Sequence, residues 1–199
     1  MIKVGITGGI GSGKSIICEV FKQLKVPVYN ADVEAKNIIN TDIAVQKRIK
    51  EKFGPSVFSD NELNRKKLAE IVFNDSSALT KLNNIVHPVV NLHFQNWLKQ
   101  QESPYILKEA AILFESGTYK NMDYIITVDA PEKLRIERVM KRDGISEAEV
   151  KKRMKHQISE EEKIKLSDFI IYNDDRQLVL PQVLDLHKKL SIKEFYGIL

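Results

Sequence analysis

Apolar residues recur with period two at Ile2, Val4 and Ile6, then switch to helical spacing at Ile17, Val20, Phe21 and Leu24. This predicts a strand over 2–7 and, after a glycine-rich break, a helix starting near Lys14. The short β-branched run Val26-Pro27-Val28-Tyr29, closed by Asn30, reads as a second strand over 26–29. From about 34 to 101 the pattern is helix after helix, broken at Asn40-Thr41-Asp42, Gly54-Pro55 and Asn74-Asp75-Ser76-Ser77, with no clear strand alternation. Strands are predicted again over 105–109 and 124–128, the latter ended by Asp129-Ala130-Pro131, where proline suits the first turn of a helix. That helix carries Arg135, Arg138 and Arg142. Ser146-Glu147-Ala148-Glu149 has capping-box form and opens another helix, followed by a charged run to Lys165. A last strand over 169–172 and a closing helix over 178–190 complete the pattern. The fold class is therefore α/β: a three-layer sandwich of about five parallel strands, with helical insertions at about 33–101 and about 135–165.

Composition narrows the picture only modestly. A chain of 199 residues suits one domain, and 43% hydrophobic with 29% charged residues is ordinary for a globular protein. No apolar run approaches bilayer length, so no membrane association is expected. A strand starting at Ile2 leaves no room for a signal or transit peptide, which makes the expected location cytoplasmic. The single cysteine, Cys18, rules out an internal disulfide and reads as core. The net charge of +4 is spread among interleaved acids and bases, which does not point to nucleic acid. His87, His93, His156 and His187 have no metal-ligand spacing, so any metal is expected to be Mg²⁺ arriving with nucleotide.

The chemistry centres on Gly8-Gly9-Ile10-Gly11-Ser12-Gly13-Lys14-Ser15, which fits the phosphate-loop pattern G-x-x-x-x-G-K-S/T between a strand and a helix. Glycines let backbone N–H groups converge on phosphate oxygens, and the helix aims its positive end at the same anion. Lys14 has the reach for the β and γ phosphates, and the Ser15 hydroxyl suits Mg²⁺. Asp32 follows the second strand at the carboxyl edge of an open α/β sheet. It reads equally as a proton acceptor, as a holder of a Mg²⁺ water or as a helix N-cap. Arg65 and His87-Pro88 are candidates for the acceptor side, although spacing alone favours a surface charge and a helix kink. The arginine-rich hairpin reads as a lid or as an exposed, salt-bridged helix pair. No Asn-Lys-x-Asp sequence is present to read guanine, which weighs against a GTP switch.

Taken in order, these motifs resemble the dephospho-coenzyme A kinases along nearly the whole chain. The match runs from Thr7 through the phosphate loop, then Ala31-Asp32, Leu63-Asn64-Arg65, His87-Pro88 and Leu113-Phe114-Glu115. It continues through the arginine-bearing hairpin, Gln157, and Ser167-Asp168 to Asn173. The resemblance implies a nucleoside-monophosphate-kinase-like core with a helical acceptor insertion and a lid. It implies transfer of the ATP γ-phosphoryl group to the ribose 3′-hydroxyl of dephospho-CoA, the final step of CoA biosynthesis. ATP would be bound by Gly8, Gly9, Gly11, Ser12, Gly13, Lys14, Ser15 and Ile16 with Arg138 and Arg142, and Mg²⁺ by Ser15. The acceptor would meet Thr7, Asp32, Arg65, His87, Leu113, Phe114 and Glu115, with Asp32 as general base. The expected partner is the small-molecule substrate alone, with the chain a monomer or weak homo-oligomer. Asn30, Ile16 and Arg135 depart from the family's usual acid, threonine and glutamine.

Overall fold

The computed structural model describes residues 1–59 and 62–192, and for 65, 73, 74 and 76 the backbone only. The chain divides into two compact units, one built from Met1–Asn30 with the chain from Glu102 onward, the other from Ala31–Gln101.

The first unit is built on a parallel five-stranded sheet. Its strands are β1 (Ile2–Thr7), β2 (Val28–Asn30), β5 (Tyr105–Glu109), β6 (Tyr124–Asp129) and β7 (Phe169–Tyr172), in the order β2-β5-β1-β6-β7. Strand β1, buried at every position but Lys3, takes the centre, pairing Val4 with Leu107 on one side and Tyr124 on the other. A strand in that place is covered on both faces. On one face, Ile17, Cys18 and Phe21 of α1 (Lys14–Gln23) and Val183, Leu186 and Leu190 of α9 (Val179–Ser191) pack against Ile2, Val4 and Ile6. Tyr105 anchors this layer, meeting the Phe21 ring edge-on and bonding its hydroxyl to His187 Nδ1 at 2.7 Å.

Strand β2 is one residue shorter than predicted, starting two residues later and ending one later. Pro27 has no N–H to give to a ladder, and the Val26 N–H bonds Phe21 O, so pairing starts at Val28. After β6 come the hairpin helices α6 (Glu132–Asp143), α7 (Glu147–Met154) and α8 (Glu160–Lys165). The predicted capping box at Ser146 and Glu149 is formed. Ile136, Val139 and Val150 make a separate small core there, and Ile10 of the phosphate loop packs on it.

The second unit is mostly helical: α2 (Ala31–Thr41), α3 (Ile43–Phe53), α4 (Arg65–Asn74) and α5 (Ser76–Leu98). Helix α5 runs on through Pro88. One expectation fails here, because an antiparallel hairpin pairs β3 (Phe58–Ser59) with β4 (Glu62–Leu63). Two-residue arms are too short for alternation to show in sequence. Asp42, Asn64 and Asp75 cap α3, α4 and α5 through their side chains. Among the described residues, no helix is long and apolar enough to cross a membrane.

Candidate active site

The loop between β1 and α1 turns into the helix at Gly13, whose φ of 93° is left-handed. A side chain there would be strained, and its Cβ would strike the Asn173 amide, which donates from Nδ2 to Ser12 O at 2.8 Å. The Ser12 N–H closes a turn onto Gly9 O at 3.0 Å, and Lys14 curls back so that Nζ donates to Gly8 O at 2.8 Å. Thr7 and Ser12 are fully buried, yet neither hydroxyl oxygen has a hydrogen-bond partner among the described residues. Ile16, in the first turn of α1, is 69% exposed.

Below the loop, the Ser15 hydroxyl donates to Glu109 Oε1 at 2.8 Å and Asn30 Nδ2 donates to Glu109 Oε2 at 2.6 Å. Glu109 ends β5 and is buried. Its strand neighbour Lys108 points to the opposite sheet face, where burial pulls the ammonium down to about 8. Burial also pushes the Cys18 thiol far above its ordinary range, helped by the negative charge of Glu109.

The hairpin helices hold the loop from its other side. Glu160 Oε2 accepts from the Gly9 N–H at 3.1 Å, and Gln157 Oε1 accepts from the Ile10 N–H at 2.9 Å. Gln157 also donates from Nε2 to Ala111 O at 2.9 Å, while Glu115 Oε1 accepts from the Ile158 N–H at 2.9 Å. Lys163 Nζ, fully buried, lies 2.7 Å from Glu160 Oε1. The Arg135 guanidinium is 3.7 Å from the same oxygen and donates from Nε to Ala130 O at 3.0 Å. A cavity of about 700 Å³ opens beside this cluster, lined by Asp129, Arg135, Met154, Gln157, Glu160 and Ile164 among others. Burial and the neighbouring Glu160 charge hold the Asp129 carboxyl above its usual range.

The predicted residues are distributed unevenly. Gly8, Gly9, Gly11, Ser12 and Gly13 form one loop, with Lys14 and Ser15 opening α1 directly after it, whereas the arginines of α6 separate. Arg138 pairs with Asp175 at 2.6 Å and keeps a buried Nη1 without a partner among the described residues. Arg142 forks onto Asp143 and is 63% exposed. Arg135, not Arg138 or Arg142, lies against the loop: a Cβ at Gly9 would meet its guanidinium and one at Gly11 its carbonyl. Leu113 is buried over Gly5 and Phe114 packs on Tyr119, so both are core side chains. Asp32, Arg65 and His87 belong to the second unit. Asp32 is the second residue of α2 and so sits inside the first turn, not at the cap; His87 is half-buried in α5; the Arg65 side chain lies outside the described residues.

The sequence model for dephospho-CoA kinase matches residues 2–178. The chain belongs to the dephospho-CoA kinase family. Among curated relatives, that of Bacteroides fragilis strain YCH46 is 41% identical over 98% of this chain and 96% of its own length. That of Porphyromonas gingivalis is 37% identical over 97% and 96%. Both carry the family's name. Among solved structures, one from Thermus thermophilus has a TM-score of 0.86 at 33% identity, covering 94% of this chain and 96% of its own. The dephospho-CoA kinase from Campylobacter jejuni has a TM-score of 0.67 at 29% identity, covering 95% and 96%. A shikimate kinase from Acinetobacter baumannii, at 13% identity and a TM-score of 0.52, shares the fold alone. Membership makes the chain an ATP-using enzyme on a P-loop kinase fold.

Proposed function

We propose that this chain transfers the γ-phosphoryl group of ATP to the ribose 3′-hydroxyl of dephospho-CoA, giving CoA and ADP as the last step of CoA biosynthesis. The observation that carries the reading is the left-handed turn at Gly13, which presents Lys14 and Ser15 at the start of α1, in a chain matched by the family over residues 2–178. Phosphoryl transfer passes through a loose transition state, so alignment and charge stabilisation do most of the work.

In this reading the amides of Gly11 to Ile16 cradle the phosphates, Lys14 swings from Gly8 O onto them, and Arg138 and Arg142 neutralise charge on the transferred group. The Ser15 hydroxyl and the Glu109 carboxylate below it are hard oxygen donors, few in number. That suits Mg²⁺, which keeps most of its waters. When bound, Mg²⁺ would screen the phosphate charge. Asp32 takes the proton from the 3′-hydroxyl, supported by its place directly after β2. Thr7, Arg65, His87 and the Leu113-Phe114-Glu115 segment serve the acceptor side, with Leu113 and Phe114 acting from the core.

The test is ADP release from Mg-ATP with and without dephospho-CoA, with the product mass determined. An acceptor-dependent rate and a gain of one phosphate are expected. ATP turnover unaffected by dephospho-CoA but stimulated by another sugar or nucleoside would reject the substrate assignment.

A further inference from the structure

Strands β1 and β5 run side by side and part at their carboxyl ends. The last bond between them is donated by the Ala110 N–H to Ile6 O at 3.1 Å. Beyond it, residues 8–13 turn into the phosphate loop, while residues 111–117 turn away through the Leu113-Phe114-Glu115 segment. Gln157, in the turn between α7 and α8, bridges the gap. Its Oε1 accepts from the Ile10 N–H at 2.9 Å and its Nε2 donates to Ala111 O at 2.9 Å. The next residue ties the far end of the same segment, the Ile158 N–H donating to Glu115 Oε1 at 2.9 Å. Because Ile10 offers a donor and Ala111 an acceptor, the bridging group must accept at one end and donate at the other. Among side chains of this length only the carboxamide of Gln does both: Glu would set a second acceptor against Ala111, and Lys a second donor against Ile10. The bridge also has a firm base, since the Gln157 N–H bonds Met154 O at 3.0 Å and Ser159 caps α8.

We propose that Gln157 is a positioning residue for phosphoryl transfer, holding the phosphate loop in register with the acceptor-side segment through Ile10 and Ala111. This rests on the phosphoryl-transfer reading above and adds to it the group that sets the donor half of the site against the acceptor half. In-line transfer demands close alignment, and a shift of about 1 Å produced far from the reacting atoms can lower the rate about 10²-fold. Gln157 touches neither substrate in this scheme. Its loss therefore acts on alignment in the transition state and leaves the separate binding of ATP and of dephospho-CoA intact.

The experiment compares wild type, Gln157→Met and Gln157→Glu in steady-state turnover of ATP and dephospho-CoA. Rates are taken per site titrated with a non-hydrolysable ATP analogue, so that an unfolded fraction does not count. Gln157→Met keeps the length of the side chain and cuts both bonds; Gln157→Glu keeps the bond from Ile10 and cuts the one to Ala111. Both variants are expected to lower kcat about 10- to 100-fold. Both KM values should stay at the wild-type level, the mark of an interaction lost from the transition state alone. A wild-type kcat in Gln157→Met overturns the proposal. A wild-type kcat in Gln157→Glu also overturns it, because the loop bond alone would then suffice. A rise in KM for ATP at unchanged kcat overturns it too, since that marks support of the loop without alignment. Should Gln157→Met not fold, Gln157→Glu carries the same test by itself. A wild type whose ADP release is not stimulated by dephospho-CoA rejects the phosphoryl-transfer reading and the proposal with it, whereas an active wild type matched by its variants rejects the proposal alone.

Discussion

Removing the charge of Glu160 should destabilise the enzyme more than any other single change in the hairpin. Its side chain is 16% exposed and receives three groups: the Gly9 N–H at 3.1 Å, the fully buried Lys163 ammonium at 2.7 Å and the Arg135 guanidinium at 3.7 Å. Glu160→Ala takes the shared carboxylate from two buried cations and leaves Lys163 without its ion-pair partner. Breaking a buried ion pair from one side typically costs about 3–5 kcal/mol. For a domain of this size each kcal/mol lowers Tm by about 2–4 °C, so a drop of about 6–20 °C is expected. Glu160→Gln keeps the shape and an acceptor for Gly9 but not the charge, and should lose most of the same stability.

The decisive assay is a double-mutant cycle followed by urea unfolding. Lys163→Met alone leaves Glu160 with Arg135 and Gly9, and the double variant Glu160→Gln with Lys163→Met replaces a charged pair by a neutral one. The double variant should therefore be at least as stable as Glu160→Gln, giving a coupling of about 1 kcal/mol or more. Two single variants that each cost less than about 0.5 kcal/mol and simply add would refute this, because surface pairs behave that way.

Other outcomes follow from the site. Asp32→Asn should lower kcat by about 10²–10⁴ while ATP affinity in a binding titration stays near wild type; an equal loss of affinity would remove the general-base role. Arg138→Ala and Arg142→Ala should each reduce kcat, by up to about 10³–10⁵ where the guanidinium meets the transferred phosphoryl group. Wild-type rates in both would end the assignment. Cys18 should resist a thiol reagent in the native enzyme at pH 8 and react fully in urea, one thiol per chain. Its proton is also kept in the native state at a pH where the unfolded chain has lost it. Above pH ~9 it should therefore reduce stability by about 1.4 kcal/mol per pH unit, a slope that Cys18→Ala removes in urea unfolding at stepped pH.

What could be read from the sequence was what local spacing determines. The strand, loop and first helix were legible because Gly13, Lys14 and Ser15 are contiguous and their pattern is rigid. The capping box at Ser146 was legible for the same reason. The residues that hold the loop were not. Glu160 meets Gly9 and Gln157 meets Ile10 across some 150 positions, with separations of 151 and 147. Nothing in the run Glu160-Glu161-Glu162-Lys163-Ile164-Lys165 distinguishes buried Lys163 from Lys165, since all six fit a solvated helix. Glu109 left little trace, because it closes its strand beside a second charged residue, Lys108. The strand order, which places β5 beside β1 and β2, brings it to Ser15 and Asn30.

The arginines of α6 show why angular spacing on a helix was not enough to assign them. Residues 135, 138 and 142 lie within about 60° of one another around the axis, so the expectation that Arg138 and Arg142 share a face is geometrically sound. Along the axis, however, the rise of about 1.5 Å per residue separates 135 from 142 by about 10 Å. The first turn abuts the loop, so Arg135 is buried against Gly9 and Gly11. One turn later Arg138 has passed the loop and reaches Asp175, after the last strand. At the end of the helix Arg142 meets its own neighbour Asp143, which Arg153 of α7 also binds at 2.8 Å. Axial position thus sorts one arginine stripe into a loop support, a link to the β7 end and a hairpin tie. Charge delivered to a phosphoryl group by Arg142 would first require breaking its fork with Asp143, whereas Arg138 already has an Nη1 group to offer.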